Sequence, residues 1–274
     1  MPLVHLELDG YRVCVAAHGP HGDASTSGAP AIVLIHGAGH DHTVWNDVAA
    51  ALVTAGLRTL APDLPGHGES GGAALADVDT QAAWLVRLLD RLECARLSLV
   101  GHSMGSLTAL AAAARVADRC VKLVLVGSVA PMPVAPFLVD AAREDLPAAW
   151  AMVNKWSFGP LEELGEARLA ALQALNLHRM QRQPAASLAI DLGACNAWQD
   201  GLMAASQVRC PALLVCGERD RMTPPEAAQA LFNALHATTG GASMIQIPGA
   251  GHLMMDEAPV ILSDAIRAFV AAAP

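Results

Sequence analysis

The 274-residue sequence is short of several things, and each shortage removes a class of function. Seventeen Lys and Arg against 26 Asp and Glu leave a formal charge of −9, with no basic block against that background, which argues against a nucleic-acid or anionic-membrane partner. Every long apolar run is broken by Gly, Pro or charge well short of a membrane span. The amino terminus, MPLVHLELDG, lacks a basic stretch followed by an apolar one, so a soluble cytoplasmic protein is the expectation. The six cysteines (Cys14, Cys94, Cys120, Cys195, Cys210, Cys216) show neither CxxC nor a dense framework spacing, and read as reduced core thiols. Disorder is excluded by a hydrophobic content of 53 %, enough to bury a substantial core.

What is present is a rhythm. Short Val/Ile/Leu runs bounded by Gly, Pro or Asp recur at 31–37, 57–63, 96–103, 121–128, 212–218 and 243–249. Continuous rather than alternating hydrophobicity suits strands buried on both faces, as in a parallel sheet. Helical periodicity fills the gaps at 80–92, 106–119, 225–236 and 258–273, so the expected class is α/β with helices on both faces of a mostly parallel sheet. The runs VHLEL and YRVCVAA, joined by Asp9-Gly10, predict an antiparallel hairpin at one sheet edge. From 131 to 207 no strand-like run occurs; an insertion of that length reads as a helical cap of 131–207 on a core of 1–130 and 208–274.

The most informative segment is LSLVGHSMGSLTALAAAA. Gly101-His102-Ser103-Met104-Gly105 stands between a strand-like run and a small-residue helix. That placement puts Ser103 on a sharp turn whose flanking positions leave no room for side chains, and exposes its hydroxyl at a helix N-terminus, where developing negative charge is favoured. The competing reading is an ordinary Gly-rich turn with a capping serine. A serine nucleophile needs a base and the base needs an orienting acid, in the chain order Ser, Asp or Glu, His after such a turn. The loop GERDRMTPP supplies Asp220 and the loop PGAGHLMMDEAP supplies His252, each just past a predicted strand.

Taken with HGAG at 36–39 and APDLPGHGES at 61–70, these motifs make the chain resemble an α/β-hydrolase-fold enzyme over nearly its whole length. The resemblance implies a Ser103–His252–Asp220 triad. Glu218 and Asp63 are the rival acids, but the family pattern matches Asp220, and Asp63 reads as the organiser of its own Gly-rich turn. It further implies an oxyanion hole formed by the backbone N–H groups of Ala38 and Met104, and a reaction needing no metal or organic cofactor.

The implied activity is hydrolysis of a small or medium carboxylic ester, thioester or lactone, a small-molecule substrate, with homo-oligomerisation left open. Carbon–carbon bond hydrolysis and cofactor-free haloperoxidase or perhydrolase chemistry use the same groups; carbon–carbon hydrolases usually carry Trp after the histidine, where this chain has Leu253. A ligand-binding, receptor-like protein on the same scaffold is the alternative of another class.

The remaining candidates are weaker. Trp45, Met222 and Leu253 neighbour the site motifs and are expected at the substrate pocket. Met132, Phe137, Trp150, Trp156, Trp198 and Met203 line an acyl pocket or form the insertion's own core; the sequence does not separate these. His36, His40 and His42 lie close together, but Gly37 and Gly39 make this a loop, so His36 reads as ordering the loop and His40 and His42 as exposed or lid-facing, not as metal ligands. His102 reads as a structural neighbour turned away from Ser103. His178, Arg179 and Arg182 form the one local basic cluster, a solvated face or a carboxylate clamp.

Overall fold

The computed structural model describes residues 2–19 and 30–272. Its centre is an eight-stranded sheet in the order β1-β2-β4-β3-β5-β6-β7-β8. The strands are β1 (Leu3–Leu8), β2 (Tyr11–His18), β3 (Ala31–Ile35), β4 (Thr59–Pro62), β5 (Leu97–His102), β6 (Cys120–Val126), β7 (Ala212–Gly217) and β8 (Ala242–Ile247). All pairings from β4 to β8 are parallel, and the β1–β2 hairpin joins antiparallel through β2 to β4. Asp9 and Gly10 both take positive φ (54° and 81°), the tight turn whose twist matches the flanking strands, so the expected edge hairpin is present.

Alternation along the strands divides the interior. Val33 and Ile35 of β3, Leu97 and Leu99 of β5, and Leu123 and Leu125 of β6 pack on one face against α2 (Val78–Arg91), α3 (Met104–Val116) and α10 (Gln229–His236). Ile32 and Leu34, Val100, and Val124 and Val126 pack on the other against α1 (Asn46–Thr54) and α12 (Pro259–Ala271). This two-faced burial explains the unbroken hydrophobic runs. β8 is an edge strand and only its last residue is fully buried, so its run is more mixed. The expected final helix ends at Ala271; its expected residue 273 lies outside the described residues.

Between β6 and β7 run six helices: α4 (Pro136–Glu144), α5 (Leu146–Trp156), α6 (Leu161–Leu164), α7 (Glu166–Gln181), α8 (Ser187–Ala197) and α9 (Gly201–Gln207). Leu138, Val153, Met180, Leu188 and Leu192 give this insertion a small apolar cluster of its own. It lies over the carboxyl ends of the parallel strands, where β3, β5 and β7 deliver their loops. α11 (Met254–Glu257) follows the loop after β8.

Candidate active site

Ser103 occupies the turn between β5 and α3 with φ 53° and ψ −121°, a strained conformation for a residue with a side chain. The glycines around it are obligatory. A Cβ on Gly101 would overlap the Gly105 carbonyl, and one on Gly105 would overlap the Ile35 and His36 carbonyls of the neighbouring strand and loop. The Ser103 N–H donates to the Val126 carbonyl at 3.0 Å, which ties the turn to β6.

His252 is brought up by the loop after β8. Its Nδ1 lies 2.8 Å from Asp220 Oδ2, and Thr223 Oγ1 donates to the same oxygen at 2.6 Å. The other carboxylate oxygen accepts the N–H groups of Met222 (2.8 Å) and Thr223 (2.9 Å). Burial alone would raise the Asp220 pKa, but the adjacent His252, the Thr223 hydroxyl and the Thr223 N–H outweigh it and hold the group below its ordinary value. An ionised Asp220 keeps the His252 proton on Nδ1 and leaves Nε2 as the lone-pair nitrogen. Glu218, the nearest rival, is exposed and accepts the Gly249 N–H. Asp63 binds His42 and the Glu69 N–H, organising its own loop.

Ser103 and His252 face one cavity of about 370 Å³. Ala38 lines it too, half-buried between buried neighbours. Neither the Ala38 nor the Met104 N–H has an acceptor among the described residues. Met104 begins α3, so its N–H is one of the free donors of that helix terminus.

Of the expected pocket residues, Met132, Trp156, Met222 and Leu253 line the cavity. The others lie elsewhere. Trp45 is fully buried under the sheet, and Trp198 packs against the opposite sheet face while donating to Asp79 at 3.3 Å. Trp150 is half-buried in the insertion's own cluster, and Phe137 and Met203 are exposed (56 % and 57 %). The wall that sequence reasoning missed is α8. Leu188, Leu192 and Cys195 all line the cavity, and their spacing of four and three puts them on one helical face.

The histidines also differ from expectation. His40 and His42 are buried, not exposed; His40 is lid-facing as the other expectation had it, lining the cavity with Nε2 2.7 Å from Asn176 of α7, whereas His42 Nδ1 meets Asp63 at 2.7 Å. His36 Nε2 accepts the Leu64 N–H, ordering the loop as expected. His102 lines the cavity, but its Nε2 donates to the His252 carbonyl at 3.0 Å and so supports that loop. Arg179 is not on a solvated face; it is buried in an ion pair with Asp256 at 2.6 Å, between exposed His178 and Arg182. Among the described residues, the groupings with three metal-capable side chains are His5, Cys14, Glu69 and Cys14, His42, Asp63, and none of these residues lines the cavity. No described helix is long and apolar enough to cross a membrane.

Comparison with known proteins agrees with this architecture. The sequence is 30 % identical over 254 residues to the dihydrolipoyllysine-residue acetyltransferase component of an acetoin cleaving system from Pseudomonas putida, matching 89 % of this chain and 64 % of that protein. It is 31 % identical over 265 residues to the pimeloyl-[acyl-carrier protein] methyl ester esterase of Aromatoleum aromaticum, covering 87 % of this chain and 98 % of the esterase. The enol-lactonase of Burkholderia xenovorans superposes with a TM-score of 0.85 at 25 % identity, over 98 % of this chain and 100 % of that one. The family model for the alpha/beta hydrolases matches residues 32–265, and the chain belongs to the alpha/beta hydrolase family.

Proposed function

We propose that this protein is a serine hydrolase that cleaves a small or medium carboxylic ester, lactone or thioester with an apolar acyl part. The observation that carries the reading is that Ser103, a histidine already paired with a carboxylate, and Ala38, whose N–H has no acceptor among the described residues, line one apolar cavity. Ser103 attacks the carbonyl while His252 Nε2 takes its proton; Asp220 holds the ring and stabilises the imidazolium. The Ala38 and Met104 N–H groups receive the oxyanion. His252 protonates the leaving alcohol or thiol, then removes a proton from water, which attacks the acyl-enzyme and releases the acid.

Substrate size and polarity follow from the walls. A cavity of about 370 Å³ suits a compact substrate. Leu138, Val153, Leu188 and Leu192 offer no partner for a charged acyl tail, and Arg221, at the exposed edge, is the one described lining residue with a permanent charge. The Burkholderia enol-lactonase and the Aromatoleum methyl ester esterase both act on carboxylic esters in the broad sense, which supports the class. The test is hydrolysis of p-nitrophenyl acetate and butyrate by wild type and Ser103→Ala. Turnover should fall to background in the variant; turnover unaffected by the substitution overturns the triad, and no turnover of any ester, thioester or lactone by wild type favours a binding protein.

A further inference from the structure

The loop carrying Ala38 leaves β3 and is held by no strand, yet the direction of its free N–H decides whether an oxyanion is met. The Ala38–Gly39 peptide is pinned at both ends. Its carbonyl lies 2.9 Å from His40 Nδ1, and its N–H, that of Gly39, donates to Asp191 Oδ2 at 2.8 Å. Gly39 takes φ +66°, and Leu188 Cδ1 sits 3.1 Å from where a Cβ would be, so the loop is pressed against α8. That plane anchors one side of Ala38; on the other, the Gly37 carbonyl accepts from the His40 N–H at 3.3 Å and from His36 Nδ1 at 2.9 Å, so the aim of the Ala38 N–H is set by the two held planes together.

Asp191 is built for this duty. It is fully buried on α8, 152 residues along the chain from its partner Gly39. The same Oδ2 meets His67 Nε2 at 2.9 Å, while His67 Nδ1 faces the Pro65 carbonyl at 3.0 Å. Two oxygens on two ring nitrogens are both satisfied only by the imidazolium. Burial pulls the His67 pKa down, but the Asp191 carboxylate outweighs it and leaves the pKa raised. Among the described residues Oδ1 has no partner, so the carboxylate's hydrogen bonding there is directed at the Gly39 N–H and His67.

We propose that Asp191 is the positioning residue of the oxyanion loop: clamped by His67, its carboxylate fixes the Ala38–Gly39 peptide so that the Ala38 N–H points at the developing oxyanion. This rests on the serine-hydrolase reading above. Asp191 touches no substrate; it acts through the loop. Losing one well-aimed oxyanion donor lowers turnover by roughly 10²–10³ where the donor is removed, so a donor left in place but misaimed should cost about 30-fold.

The experiment compares wild type, Asp191→Ala, Asp191→Asn and His67→Gln on p-nitrophenyl butyrate, with inhibition by a trifluoromethyl ketone that forms a tetrahedral oxyanion on serine. In Asp191→Ala, kcat should fall about 30-fold and the ketone's Ki rise in the same proportion, with KM within about two-fold. Asp191→Asn, whose amide oxygen can still accept the Gly39 N–H, should recover to within about five-fold of wild type, and His67→Gln should show a smaller parallel loss in kcat and Ki. Unchanged kcat and Ki in Asp191→Ala, or an Asn variant as impaired as the Ala one, overturns the proposal. If Asp191→Ala does not fold, His67→Gln decides it by the same parallel. Fluorophosphonate labelling separates the two levels. A wild type that is not labelled at Ser103 sinks the hydrolase reading and this proposal together; a labelled wild type with unmoved Ki in the variants sinks this proposal alone.

Discussion

The sheet interior and the seam beneath the helical insertion are equally buried and built from opposite materials. In β3, β5, β6 and β7 nearly every side chain is apolar, and burial itself supplies the free energy without dictating orientation. The seam is polar: Asp191 with His67 and the Gly39 N–H, Arg179 with Asp256, His40 with Asn176, Gln183 with Asp41 and the Gly68 N–H, Ser187 with the Gly66 carbonyl. Each such pair is satisfied in one geometry and costly in any other. The lesson is that the interior holds the molecule together while the seam decides where the insertion sits, and the candidate site lies along that seam.

The contrast can be broken or sharpened by substitution. The largest effect is expected at the site itself: His252→Ala should lower ester turnover on the order of 10⁴-fold with little change in unfolding free energy. His40→Ala, in the loop after β3 where GAGH at 37–40 repeats the GAGH of 249–252, should lose far less activity and be felt in stability; comparable activity losses at the two positions would remove the distinction between these two loops. In the seam, Arg179→Ala strands the buried Asp256 carboxylate and should cost about 3–5 kcal/mol in urea unfolding, whereas Arg179→Met combined with Asp256→Leu should recover most of that. A double variant as unstable as the single one would mean the seam's charges attract for net stability, and the contrast with the interior would fail. In the interior, Leu99→Ala should cost about 2–5 kcal/mol through the cavity it leaves, with kcat unchanged where the protein is folded.

The smallest expected effect is in pH. Burial, with His67 adding to it, lowers the His36 pKa from 6.5 to about 4, so the unfolded chain binds a proton there that the folded one refuses. Stability from this group is present above pH 6.5 and is lost as pH falls toward about 4. The fall in urea midpoint over that window should be shallower in His36→Gln than in wild type.

The sequence displays what depends on short-range pattern. Gly101 and Gly105 announce the Ser103 turn because backbone contact forbids any side chain there, and unbroken apolar runs announce doubly covered strands. The seam is hidden because its partners lie far apart: His67 and Asp191 are separated by 124 residues, and Arg179 stands beside exposed His178 and Arg182. Aromatic size misleads for a physical reason, since Trp45 and Trp198 bury most area by filling the spaces beside the sheet rather than a cavity that must stay open. The face of α8 formed by Leu188, Leu192 and Cys195 is legible in its spacing, but it passes for ordinary core until the empty space beside it is known.

The histidine loop meets the insertion through backbone contact as well as through the Arg179–Asp256 ion pair. The Ser157 carbonyl accepts the N–H groups of His252 (2.8 Å) and Leu253 (2.9 Å), and Glu257 receives those of Gly159 (2.7 Å) and Gly251 (3.0 Å). A Cβ on Gly159 would overlap the Gly249 carbonyl, and one on Gly251 would crowd Phe158 and the Gly159 nitrogen. Two segments that interlock backbone against backbone, with the Glu257 carboxylate bonded to a glycine of each, cannot be exchanged one at a time. A chimera that imports an insertion from a relative must import the 249–257 segment with it, so these regions form one transplantable unit although 89 residues separate Arg168 from Glu257, which it also bonds.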